Sequence, residues 1–117
     1  MDVIERPSEP GGQTEKFCPV VATLDLLSQR WTLHILRSLL NGPMRFNELG
    51  RSLGINPRTL NARLHELEDQ GLISRNVISA MPPNVEYSLT DKGASLNEIF
   101  NRLSEWGVRW MPKPDSS

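Results

Sequence analysis

The chain has one cysteine, Cys18, and two histidines, His34 and His65, among its 117 residues. A single thiol excludes an internal disulfide framework and a zinc site built from several thiolates. The histidines are 31 positions apart (34 to 65), neither with partners at metal-ligand spacing, so no metal and no cofactor is expected. Long hydrophobic runs are also missing: nothing approaches the roughly 18 consecutive apolar residues of a membrane-crossing helix. The first residues are acidic and lack the apolar core of a secretory signal, which points to a cytoplasmic protein with no membrane contact. Catalytic groupings are absent as well. The sequence offers no serine and histidine pairing, no two carboxylates on one apolar face and no glycine-rich phosphate loop, and these absences argue against an enzyme.

An excess of one charge is missing too, since the formal net charge is −1, but distribution matters more than the total. Between Gly42 and Leu64, four arginines (Arg45, Arg51, Arg58 and Arg63) stand against one acid, Glu48, a local net of +3. From Met1 to Lys16 the balance is two cations against four acids, a local net of −2. With 38% hydrophobic and 23% charged residues the composition is that of an ordinary globular domain. The length suits one such domain, with a core modest enough for partner chains to matter.

The basic stretch is also the most patterned. Phe46, Leu49 and Leu53 predict a short helix, although Gly50 inside it costs about 1 kcal/mol relative to alanine, so packing against a neighbour must hold it. Gly54-Ile55-Asn56 follows as a tight connector. Asn56 is then a good N-cap and Pro57 a good first helical residue. Leu60, Leu64 and Leu67 make one apolar stripe along the helix that ends at Gly71. At about 100° per residue, the opposite side carries Arg58, Ala62 and His65, with Thr59 and Asn61 on its flanks. Two helices joined by a short glycine-containing turn match the helix-turn-helix pattern, whose second helix lies in the major groove of DNA. The start of that helix is expected to offer free backbone amides and a positive dipole end to a phosphate. Arg58 is expected to touch base or phosphate, Arg63 to be a phosphate contact or a surface residue and not a base reader, and Arg45 and Arg51 to serve as phosphate contacts.

Two strand signals come next, Leu72 to Val77 and the alternating Val85, Tyr87 and Leu89. The intervening Ser79 to Asn84 reads as an extended tip stiffened by its prolines. Such a hairpin is either a wing that touches DNA, with Arg75 at its base and Asn84 at its tip, or a cover for the core. On the N-terminal side, Pro19 opens a helix with apolar Val20, Val21, Leu24 and Leu27. Trp31 to Leu40 forms another, with Trp31, Ile35 and Leu39 toward the core and His34 partly buried beside them, stopped by Asn41-Gly42-Pro43. A last helix, capped by Thr90, carries Leu96, Ile99, Phe100, Leu103, Trp106 and Trp110 on one face. A domain this small has already filled its core with the other helices. That face is therefore expected to meet a second copy, joined by Val21 and Leu24, unless it packs back on its own domain.

The expected fold is mainly α with a small β-hairpin (α+β), a winged helix-turn-helix dimerised through its N- and C-terminal helices. Residues 1–16 are expected to form a flexible arm, 17–111 the winged helix-turn-helix domain with its dimerisation helices, and 112–117 a disordered tail. Winged helices also serve as protein-binding modules, and that alternative stays open.

Several motifs in this order resemble the HxlR-type winged-helix transcriptional regulators, which are related to MarR-like regulators. They are CPV at Cys18 to Val20, Arg30-Trp31, RFNEL at Arg45 to Leu49, LHELEDQGLI at Leu64 to Ile73, PPNVEYSLTDKG at Pro82 to Gly93, and Trp106. The resemblance covers about Phe17 to Trp110. It implies a homodimer built from the first and last helices, a near-palindromic double-stranded DNA operator, regulation of nearby genes with repression as the expected sign, and a small-molecule or redox signal. Cys18 matches a position at which some members respond to quinones, aldehydes or oxidants. A helix N-terminus favours a thiolate, whereas a lone cysteine before proline also suits a small buried hydrophobe; both roles fit Cys18.

Overall fold

A computed structural model describes residues 17–114. The arm expected over 1–16 and the last three residues of the expected tail lie outside them, while 112–114 form no regular element. The chain divides between Arg30 and Trp31 into two units. The first contributes α1, Pro19–Leu27, with Cys18 in extended conformation at the N-cap and Pro19 at the first helical position, as the missing proline amide favours. Leu27 is buried, Val21 half-buried, and Val20 and Leu24 are exposed.

The second unit begins on an unusual residue. Trp31 has φ 76°, a left-handed conformation that is uncommon for a bulky side chain, and it stands just before α2, Thr32–Leu39. The helix expected from Trp31 to Leu40 therefore starts one residue later and ends one earlier. Its buried stripe is Thr32, Ile35, Leu36 and Leu39. His34 lies opposite that stripe, so it is exposed and not partly buried as the sequence suggested; its ring tilts 59° to that of Trp31 with centroids 5.7 Å apart.

After Gly42, β1 (Met44–Arg45) leads directly into α3, Phe46–Leu53. Gly54 ends α3 at φ 70° with its amide on Gly50 O, the left-handed cap that glycine accepts without strain. Buried Ile55 and the N-cap Asn56 complete the connector into α4, Pro57–Asp69, whose Leu60, Leu64 and Leu67 are all buried. The cost of Gly50 is offset as expected: a β-carbon there would stand 3.5 Å from Leu60 Cδ2, so α3 packs closely on α4.

Gly71, at φ 74°, turns the chain into β2 (Ile73–Ala80), which pairs antiparallel with β3 (Pro83–Leu89); β1 adds to the other edge of β3. The extended tip expected from Ser79 to Asn84 is not there. Ser79 pairs with Asn84 and Ala80 with Pro83, leaving only Met81 and Pro82 as the turn. Pro83 is tolerated because a strand's first residue need not donate to the ladder. A register shift between Val77 and Ser79 absorbs Ile78.

The single last helix expected from Thr90 is two. Asp91–Ala94 forms α5, and a tight turn with Leu96 N on Gly93 O precedes α6, Asn97–Trp110. Gly93, within α5, lies against the Leu72 carbonyl with no room for a side chain, which packs α5 on the start of β2 ahead of that turn. None of the α6 residues is buried. Among the described residues no helix is long and apolar enough to cross a membrane.

Candidate nucleic-acid interface

The sequence of α4 fixes which way it faces. Because its three leucines are packed inside, Arg58, Asn61, Ala62 and His65 are turned outward and exposed, with Thr59 half-buried beside them. Arg63 lies nearer the stripe, and its guanidinium is paired with Glu66 at 3.0 Å. An outside phosphate would have to compete with that carboxylate, so Arg63 is a weaker candidate for such a contact than Arg58.

The start of α4 differs from expectation. Asn56 Oδ1 accepts hydrogen bonds from Arg58 N at 2.8 Å and Thr59 N at 3.3 Å, Leu60 N bonds to Asn56 O at 2.9 Å, and Pro57 has no amide hydrogen. The first-turn amides are therefore occupied, not free for a phosphate, and the Asn56 carbonyl oxygen is committed to the cap. Only its side-chain amide nitrogen is left to reach outward.

Arg51, exposed on α3, and Pro57 line one recess of about 260 Å³ together with Phe46, Asn47, Gly50, Ile55 and Leu60. That places Arg51 beside the start of α4. Arg45 is exposed at the N-cap of α3, where its backbone amide donates to Glu48 Oε1 at 2.8 Å.

The sheet separates two of the candidate phosphate contacts, Arg45 and Arg75. Arg45 pairs with Glu86, whose other partner is Asn76, whereas Arg75 pairs with Tyr87, whose other partner is Met44. Neighbouring rows point to opposite faces, so Arg45 and Arg75 lie on different sides of the sheet. The Arg45 side is polar: Ser74 and Ser88 hydroxyls meet at 3.2 Å and Asn76 Nδ2 donates to Ser88 Oγ at 3.0 Å. Arg75 is exposed on the Tyr87 side.

Asn84 belongs to β3 and not to a loop tip. It is half-buried, and its Oδ1 is enclosed without a hydrogen-bond partner among the described residues. The outer part of the hairpin carries no charged residue from Asn76 to Val85, while Val77, Ile78 and Met81 are exposed. Sequence reasoning missed this apolar tip. Its signal was the uncharged run from Asn76 to Val85.

Of the residues expected at a dimer interface, Leu96, Phe100 and Val21 are half-buried, and Leu24, Ile99, Leu103, Trp106 and Trp110 are exposed. The Arg109 guanidinium sits 5.6 Å from the Trp110 ring centre. Val108 and Met111 add exposed apolar surface that the sequence pattern did not single out. Cys18 is half-buried and its side chain makes no capping bond.

Comparison with known proteins agrees with this geometry. Residues 26–115 match the family described as HxlR-like helix-turn-helix. YvaP of Bacillus subtilis (strain 168), named an uncharacterized HTH-type transcriptional regulator, is 42% identical over 98 residues, covering 82% of this chain and 91% of that protein. The reduced form of the transcriptional regulator YodB from B. subtilis superposes with a TM-score of 0.74 at 32% identity, covering 86% of this chain and all of that one. The redox regulator HypR in its reduced form gives a TM-score of 0.73 at 39% identity, covering 79% of this chain and 92% of that one. The winged helix-turn-helix fold is thereby shared along most of the chain, and the protein belongs to the HxlR-like helix-turn-helix family of transcriptional regulators, not to a class of enzymes.

Proposed function

We propose that this regulator acts as a cytoplasmic homodimer that binds a near-palindromic duplex DNA operator through α4 and represses nearby genes. The observation that carries the reading is the outward face of α4, where Arg58, Asn61, Ala62 and His65 stand exposed opposite a fully packed leucine stripe. Long donors, short polar groups and one small residue are what base edges in the major groove accept. Arg51 and Arg45 on the supporting helix and Arg75 on the hairpin supply phosphate contacts. Dimerisation is supported by the uncovered apolar face of α6, with Val21 and Leu24 of α1 as further contributors.

A redox or electrophile signal is supported by the solved forms of the similar proteins, among them reduced and oxidized HypR and quinone-bound YodB. On this reading Cys18 is the responsive thiol. Its alkylation rate in the folded protein should exceed that of an unfolded cysteine peptide, and an equal or slower rate removes the role.

Selection of duplexes from a random pool by the full chain tests the main reading, because it returns site, symmetry and spacing together. Binding should weaken steeply with salt as neutralised phosphates release counterions. Arg58→Ala should cost about 1 to 3 kcal/mol of operator binding if the guanidinium pairs with guanine. An unmoved binding curve excludes that role.

The uncharged, apolar hairpin tip favours a second reading, a winged helix that docks on another protein. Absence of duplex binding even at low salt would select it.

A further inference from the structure

Three consecutive backbone carbonyls, those of Gln70, Gly71 and Leu72, lead the chain out of α4 and into β2. Each accepts a hydrogen bond from the segment that opens α5: Lys92 Nζ donates to Gln70 O at 2.7 Å, Thr90 Oγ1 to Gly71 O at 2.6 Å, and Thr90 N to Leu72 O at 3.1 Å. The Thr90 hydroxyl also accepts from Gly93 N at 3.1 Å, so one side chain both caps α5 and grips the exit of α4. Gly93 closes the contact by lying flush on the Leu72 carbonyl. Cations are favoured at the carbonyl end of a helix, and Lys92 supplies one there from 22 positions further along the chain. From α5 the chain runs through Ser95 and Leu96 straight into α6. The reading helix is thus fastened at its C-terminal end to α5, which leads through a tight turn into α6 and its uncovered apolar face.

We propose that Lys92 is a positioning residue for DNA reading: by holding Gln70 O it fixes α4 against the α5–α6 segment and so sets the separation of the two reading helices in the dimer. The proposal rests on the reading above, a dimer that uses α4 on DNA. Of the three donors, Lys92 is the exposed side chain, whereas Thr90 is half-buried and one of its two bonds is backbone. Removing the ammonium leaves both Thr90 bonds and the Gly93 contact in place, so the fold survives while the joint loosens. Each α4 keeps its own outward side chains in such a variant. A single half-site is then read normally, and only the fit to two half-sites at fixed spacing suffers.

The experiment uses the full chain and a duplex selected by the wild type, beside the same duplex with one arm scrambled. Affinities for both are measured for wild type, Lys92→Met and Lys92→Arg, together with thermal midpoints. Methionine keeps an unbranched apolar stem without donors, and arginine keeps a cationic donor. Lys92→Met should bind the intact duplex about fivefold or more weakly with little change in midpoint. Its affinity for the scrambled-arm duplex should match wild type, and Lys92→Arg should restore most of the loss. An intact-site affinity equal to wild type, or an equal loss on both duplexes, overturns the proposal. A wild-type chain that binds no duplex, or that binds intact and scrambled-arm duplexes alike, overturns the dimeric DNA reading itself and the proposal with it.

Discussion

Helices α4 and α6 are of similar length, 13 and 14 residues, and both carry an apolar stripe, yet they have opposite fates. In α4 the stripe is three leucines no more than 2% exposed, and the outward face is polar. In α6 nothing is buried, and Trp106 and Trp110 are 58% and 63% exposed. A helix of this length is marginal in water by itself, so its persistence depends on what covers its apolar side. For α4 that cover is its own domain. For α6 the described chain supplies little of it. The comparison teaches that amphipathic periodicity announces a buried face without saying which molecule buries it.

The contrast can be broken most directly at its core. Leu64→Ala should cost about 2 to 5 kcal/mol of folding stability, read by chemical denaturation, because a rigid packed site cannot collapse around the lost atoms. Trp106→Ala should act elsewhere, weakening self-association by about 2 kcal/mol or more in sedimentation while leaving the far-ultraviolet spectrum intact. A Trp106 variant that unfolds without dissociating would place α6 in the core of its own chain. At the start of α4, Asn56→Ala should cost about 1 kcal/mol of stability by releasing the Arg58 and Thr59 amides. If Asn56 also reaches DNA through its amide nitrogen, operator affinity should fall by more than the stability loss explains. The smallest change is a gain. Gly50→Ala places its methyl at an ordinary contact distance from Leu60 Cδ2 and should raise the thermal midpoint by an amount worth up to about 1 kcal/mol.

The legible parts of this fold were those set by local chemistry. Gly54, Asn56 and Pro57 mark the turn and the next helix start by conformational preference alone, and the spacing of Leu60, Leu64 and Leu67 fixes the outward face of α4. Where a residue's role depends on a distant one, the sequence was silent. The packing of α5 depends on Gly93 meeting the Leu72 carbonyl across 21 positions of chain (72 to 93), and no local pattern encodes that approach. His34 is exposed because the buried stripe runs through Thr32, Ile35, Leu36 and Leu39, whereas a stripe through Trp31, Ile35 and Leu39 leaves position 34 at its margin. The hairpin tip was drawn too long because two prolines suggested a loop, although Pro83 fits the first position of a strand. Among the candidate contacts, the outward placement of Arg58 follows from the leucine spacing of α4. That Arg45 and Arg75 stand on opposite faces of the sheet became visible only with the register.

The uncovered side of α6 has an optical consequence. Trp106 and Trp110 are two of the three indoles in the chain, and both stand more than half exposed. The colour of the protein's intrinsic emission therefore follows the wetting of this one helix more closely than that of any other element.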